Sequence, residues 1–200
     1  MKACAIGIRV HSGWGALVAV AGDTGALEVI ERQRVEIIDR KKPGAMQPYH
    51  FAKDLPLGDA EKFIAGSAAS ATRLASEAMR EVCDKLRAHH YNLVAAAILL
   101  SSGRPLPELE KVLAAHPLIH TAEGEFFRQA FRDACASLKI PVNGIRERDL
   151  DEHAKSALRG DGGLLKKKIA GMGKTLGPPW TTDQKAAALA AAIALAARHK

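Results

Sequence analysis

Residues 3–22 read ACAIGIRVHSGWGALVAVAG. The first eight are small or branched apolar residues interrupted only by Arg9, the pattern of a buried strand. HSGWG follows, and its two glycines can take the positive φ that a tight turn needs. ALVAVAG then returns as a second strand. DTG marks the next turn, and ALEVIERQRVEII (26–38) alternates apolar with charged residues, as a strand with one wet face does. Residues 3–38 therefore predict a three-stranded antiparallel meander. Arg9 and His11 stand where its first strand ends.

Further along, residues 39–60 are rich in Pro and Gly and read as a long loop, a flap or crossover. Residues 59–90 form a long amphipathic helix, with Phe63, Leu74, Met79, Val82 and Leu86 near helical spacing and His89 and His90 at its C-terminal end. YNLVAAAILLSS (91–102) is a central strand covered on both faces. LPELEKVLAAH is a short helix, and TAEGEFFRQAFRDACASL a longer one with Thr121 as its expected cap. IPVNGI is the last strand and DLDEHAKSAL the helix after it. RGDGGLLKKKIAGMGKTLGPPW is a glycine-rich basic segment with a short helix at its centre. A final helix starts at TTDQ, capped by Thr181 or Thr182, and its small residues permit close packing on a sheet or on a second protomer. This order predicts an α/β chain, one domain over 1–200. It has a five-stranded mixed sheet, an antiparallel meander followed by βαβ units, with helices on both faces.

The chain has 200 residues and a formal charge of +7, which suits a polyanionic partner. Cys4, Cys83 and Cys135 are scattered and form no CxxC pair, so each reads as a small buried residue in a reducing compartment. MKACAIGIRV lacks the apolar core of a signal peptide, and Lys185 interrupts the Ala-rich end. A cytoplasmic protein without membrane association is expected.

The element order resembles the ribonuclease H-like fold, and in detail the RuvC-type Holliday-junction resolvases. AIGIRVHSGWGALVAV is similar to that family's first hairpin, LVAAAILLSS to its fourth strand, and TTDQKAAALAAAIALA to its closing helix. The resemblance implies four carboxylates around two divalent metals that activate water. Carried over position by position, the first acid falls on Arg9 and the second within Leu99–Ser101. The closing helix keeps Asp183 but has Ala186 in place of its second acid. A cation at the first position repels Mg²⁺, which needs oxygen ligands.

Two functional readings follow. In the first the protein is a non-catalytic, degenerate member of this fold. It would bind nucleic acid or another polyanion through Arg9, His11, Ser101, Arg104 and Lys166, Lys167 and Lys168, with no cofactor and no metal ligands. In the second it is a metal-dependent phosphodiesterase with a rearranged site of His120, Glu123, Glu125 and Asp183, using Mg²⁺ or Mn²⁺. A structural role competes at each place. Glu123 and Glu125 would sit in a helix's first turn, SSGRP would be a backbone turn, and the lysines would line a solvated loop. A protein-interaction scaffold and a homodimer also fit the sequence. GMGKT does not make a phosphate loop, because Lys168 stands where that motif needs glycine. Trp14 reads as core or edge cover and Trp180 as an anchor for the last helix.

Overall fold

The computed structural model describes residues 1–23, 25–101, 105–157 and 162–197. Strands β1 (Lys2–His11), β2 (Trp14–Ala21) and β3 (Glu28–Glu36) come first. Helices α1 (Pro48–Ala52) and α2 (Leu57–Ala88) lead to β4 (Tyr91–Leu100), and α3 (Leu109–Leu113) and α4 (His116–Ser137) to β5 (Val142–Arg146). A 3₁₀ turn over Glu147–Asp149 opens α5 (Leu150–Ala157). Then come α6 (Gly162–Gly171), α7 (Gly173–Leu176) and α8 (Thr182–Ala196). The sheet order is β3-β2-β1-β4-β5. The first three strands are antiparallel, and β4 and β5 run parallel to β1. The expected mixed sheet is present.

Alternation along the strands divides the core in two. Cys4, Ile6 and Ile8 of β1 pack with Leu17, Ala96 and Ile98 beneath α2 and α4. Ala5 of β1 packs with Val18, Val20, Ala95, Ala97 and Leu99 beneath α8. The Ala-rich final helix is explained by this second layer. Its buried face reaches β1 so closely that a Cβ on Gly7 would stand 1.9 Å from the Ala187 carbonyl oxygen. The small residues are therefore used inside this chain.

Three details correct the sequence reading. Residues 39–60 are not all loop, since α1 lies within them and α2 begins at Leu57. Thr121 is not a cap: α4 starts five residues earlier at His116, with Pro117 in the first turn where no N–H is needed. The Thr121 hydroxyl instead donates to the Pro117 carbonyl at 3.0 Å. Consequently Glu123 and Glu125 lie in the second and third turns, away from the helix start. Lastly, Lys166, Lys167 and Lys168 sit on α6, the short helix expected at the centre of that segment, so the reading of them as lining a solvated loop does not hold. The expected capping of α8 by Thr181 is present.

All three cysteines are free and buried. Burial pushes the Cys4 thiol up to about 11 and Cys135 up to about 12, so neither supplies thiolate at neutral pH. Native protein is expected to resist a thiol-specific reagent that labels three groups per chain in denaturant. Rapid labelling of Cys4 or Cys135 in the folded state would contradict this packing.

Candidate functional site

Four elements converge where β1, β4 and β5 end. Successive odd-numbered residues of β1 face α8, which carries Arg9 and His11 to the α8 side. Asp183 lies in the first turn of α8, and three contacts set that turn. Thr181 and Gln184 form a capping box. The Trp180 indole donates to the Ile169 carbonyl at 2.7 Å. Arg32 of β3 donates to the carbonyls of Leu176, Gly177 and Pro179 in the segment leading into the helix. Glu147 is the first residue beyond β5.

Arg9 joins these parts. Its Nε and Nη2 donate to the two oxygens of Glu147 at 2.9 and 3.0 Å, a bidentate pair. Its Nη1 donates to Asp183 Oδ1 at 2.5 Å. The His11 Nε2 stands 3.3 Å from the other Asp183 oxygen. The hydrogen bonds to Glu147, then the charges of Glu147 and Asp183, hold the guanidinium pKa above its usual value, although partial burial opposes them. This cation is permanent at any working pH.

The charged row continues across the hairpin because His11, Trp14 and Glu36 are register partners. The His11 ring stacks on Trp14 at 4.3 Å, and the Arg34 guanidinium lies 3.7 Å from the Trp14 ring centroid. Trp14 is sandwiched between these two side chains on β2, an interior strand, so it does not cover a sheet edge. Glu36 then accepts from Arg34 and Arg40 at 2.6 and 3.1 Å. Partial burial would raise the Glu36 carboxyl, yet those hydrogen bonds hold it below the usual carboxylate range.

A second arginine occupies the end of β4. Arg128 reaches from α4 to donate its Nε to the Leu99 carbonyl at 3.1 Å, and its Nη1 lies 3.6 Å from Glu125. Burial pulls its pKa down, while the charge of Glu125 opposes that shift. Ser101 is exposed just beyond, and Arg104 lies outside the described residues. The two central strands thus end against guanidinium groups.

The paired-metal carboxylate set does not fit this arrangement. At the positions where the resemblance would set acids stand Arg9, the carboxylate-free Leu99–Ser101 and Ala186. Asp183 is a carboxylate at such a position, but its oxygens face Arg9 and His11.

The residues of the alternative site are not brought together as one group. Glu123 and Glu125 are two apart on a helix, about 200° around its axis, and so diverge. Glu125 turns to Arg132 and Arg128. Glu123, buried with 5% exposure, turns to α1, where its Oε1 accepts from the Tyr49 and His50 amides at 2.9 and 3.1 Å. Burial pushes its carboxyl above the ordinary range, and the donors from His50 and Tyr49 pull against that. His120 meets His50 and His116, whereas Asp183 belongs to the Arg9 network. Of the basic run, Lys166 pairs with Asp151 at 2.7 Å and Lys168 donates to the Gly25 carbonyl at 2.6 Å. Lys167 is exposed.

Sequence reasoning missed Glu147, Arg128's contact with β4, and His50 and His116. Glu147 had a usable signal, being the first acid after a parallel strand, where ligands gather in such sheets. HPLIH held another, since His116 and His120 are spaced i,i+4 once the helix starts at His116.

No family model matches the sequence, and no curated protein matches it. Among solved structures, the chain is similar to Thermus thermophilus RuvC in complex with a Holliday-junction substrate. The TM-score is 0.54 at 12% identity, covering 96% of this chain and 92% of that one. A second Thermus thermophilus RuvC structure gives a TM-score of 0.51 at 16% identity, covering 95% and 92%. The chain has the ribonuclease H-like fold of these resolvases.

Proposed function

We propose that the protein binds the backbone of nucleic acid at the C-terminal ends of its parallel strands and does not hydrolyse it. The observation that carries this reading is the Arg9–Glu147–Asp183 cluster. A permanent internal cation holds the carboxylates that a metal-dependent nuclease would leave free for Mg²⁺. The cluster organises the surface rather than serving as the main phosphate contact, because three of the five Arg9 donors go to Glu147 and Asp183 and those two carboxylates offset its charge.

Further cations lie at the same end of the sheet. The loop after β3 leaves the sheet at the same end, as the pairing of His11, Trp14 and Glu36 requires. On it Lys41 and Lys42 are exposed and make no ion pair with a described residue. Lys42, with Lys62, Ser67, Ser70 and one acid, Asp39, lines an open cavity of about 320 Å³. Arg146 and Arg148 are exposed beside Glu147 and share Asp149 as partner. The solved relative named for a Holliday-junction complex supports nucleic acid over a small anion as the ligand class.

Binding measured by fluorescence polarisation on duplex and four-way-junction DNA is expected to weaken steeply with salt. Each phosphate contact contributes a slope of about −0.9 in log affinity against log salt. Lys41→Ala with Lys42→Ala is expected to flatten that slope by about 1.8 on duplex. Lys166→Ala, which removes an already paired charge, is expected to leave the slope unchanged. A slope unmoved by the Lys41 and Lys42 changes would remove this loop from the interface.

A further inference from the structure

His50, His116 and His120 point their rings at one another on the α4 side of the molecule. Each offers a nitrogen, and the three nitrogens lie within 4.8 Å of one another. Ring centroids stand 4.4 Å apart for His116 and His120, 4.8 Å for His50 and His120, and 5.4 Å for His50 and His116. We propose that these residues bind one divalent transition-metal ion of the zinc type, through three imidazole ligands and with the fourth position open.

The spacing agrees with that chemistry. With metal–nitrogen bonds of about 2.0–2.1 Å in a tetrahedron, donor atoms stand about 3.4 Å apart and ring centroids about 5 Å apart. The rings are already at this spacing, and the donors close onto an ion by small side-chain rotations. Their planes are inclined by 62–83°, so they do not stack. Core packing does not force the cluster, because His116 and His120 are exposed. That exposure also leaves the fourth position to water or a small anion.

The backbone is arranged to support the site. Residues 116, 120 and 123 follow i, i+4, i+7 and share one face of α4. His50 comes from α1, a helix whose own N-cap residue, Gln47, makes no side-chain cap. Glu123 supplies that cap through the Tyr49 and His50 amides, and the same Oε1 stands 3.3 Å from His50 Nδ1. A proton on Nδ1 shared with this carboxylate leaves the Nε2 lone pair for the ion. Zinc-binding histidines are commonly oriented by a carboxylate in this way. One buried acid thus both fixes α1 and sets the tautomer of the one ligand that does not come from α4. Three neutral imidazoles suit zinc, cobalt or nickel and not Mg²⁺, which takes oxygen ligands.

The test uses the full chain stripped of metal with EDTA, titrated with Co²⁺ by absorption and with Zn²⁺ by calorimetry. One equivalent is expected, with the intense visible bands of low-coordinate cobalt. His116→Ala and His120→Ala are each expected to weaken binding by at least about 100-fold without unfolding, since both residues are exposed. Glu123→Gln is expected to weaken it by about 10–100-fold. His89→Ala is expected to leave it unchanged. Equal affinity in the His116→Ala/His120→Ala double variant, or no stoichiometric binding by the native chain, would overturn the site.

Discussion

Gly7→Ala is expected to destabilise the protein by at least about 3 kcal/mol, at the upper end for overpacked cores. The added Cβ would meet the Ala187 carbonyl oxygen at 1.9 Å, with the Ala191 amide nitrogen 2.9 Å away. Both obstacles are backbone, so no rotamer change relieves the clash, and α8 must lift from β1. Ala187, Ala188, Ala190 and Ala191 are buried on that helix, and lifting it opens the layer they fill. Such a loss is a large share of the roughly 5–15 kcal/mol that a domain commands. In thermal unfolding it corresponds to a fall of about 6–12 °C for a chain of this length. Gly66→Ala is the control, because a Cβ there meets nothing within 4 Å. A Gly7→Ala protein within 1 °C of the native Tm would show that the close approach of α8 to β1 is wrong.

The second large effect is expected from Arg9→Asp. Arg9 and Asp183 side chains are each 24% exposed, between a surface pair and a buried one. Reversing the charge would set a third carboxylate beside Glu147 and Asp183. The expected loss is about 2–4 kcal/mol, above the worth of a surface pair and near the lower range for breaking a buried one. The three carboxylates would then resemble a divalent-cation site, and Mn²⁺ is expected to restore stability. Saturating a site at a hundred times its dissociation constant contributes about 2.7 kcal/mol, or about 5 °C or more in Tm. Arg9→Ala is expected to lose stability and to gain nothing comparable from Mn²⁺, because it adds no ligand. Equal Mn²⁺ shifts in Arg9→Asp, Arg9→Ala and native protein would separate Arg9 from the metal position.

The sheet was legible because its strands carry strong patterns. The apolar run of β1, the alternation in β3 and the continuous run of β4 each have one satisfactory burial. The packing of α8 was legible too, since a helix of alanines has little to offer except close approach. The start of α4 was not. Thr121 and the acids after it mimic a capped helix opening, and only the fold shows that Ala115 and Pro117 start the helix before them. That error hid the i,i+4 pairing of His116 with His120. It also placed Glu123 and Glu125 together at a helix start, when they diverge to α1 and to Arg132.

The strand-end cluster was half legible. That Arg9 stands at the end of the first strand, where the resemblance would set an acid, could be read from the first hairpin alone. Its partners could not, because Arg9 and Asp183 are 174 residues apart and Glu147 lies 138 away. Those contacts depend on the register of β1 against β4 and of β4 against β5, and on the lead into α8. Arg32, which ties that lead to β3, had no sequence signal, since it sits among alternating charges of a wet-faced strand.

The most direct test of the central reading is one titration of labelled four-way-junction DNA with the native protein. It is run in EDTA and in Mg²⁺ or Mn²⁺, with the products separated on a denaturing gel. Salt-sensitive binding that is unchanged by the metals, with the DNA intact throughout, is the predicted result. Metal-dependent cleavage, or the absence of binding in every condition, would contradict it.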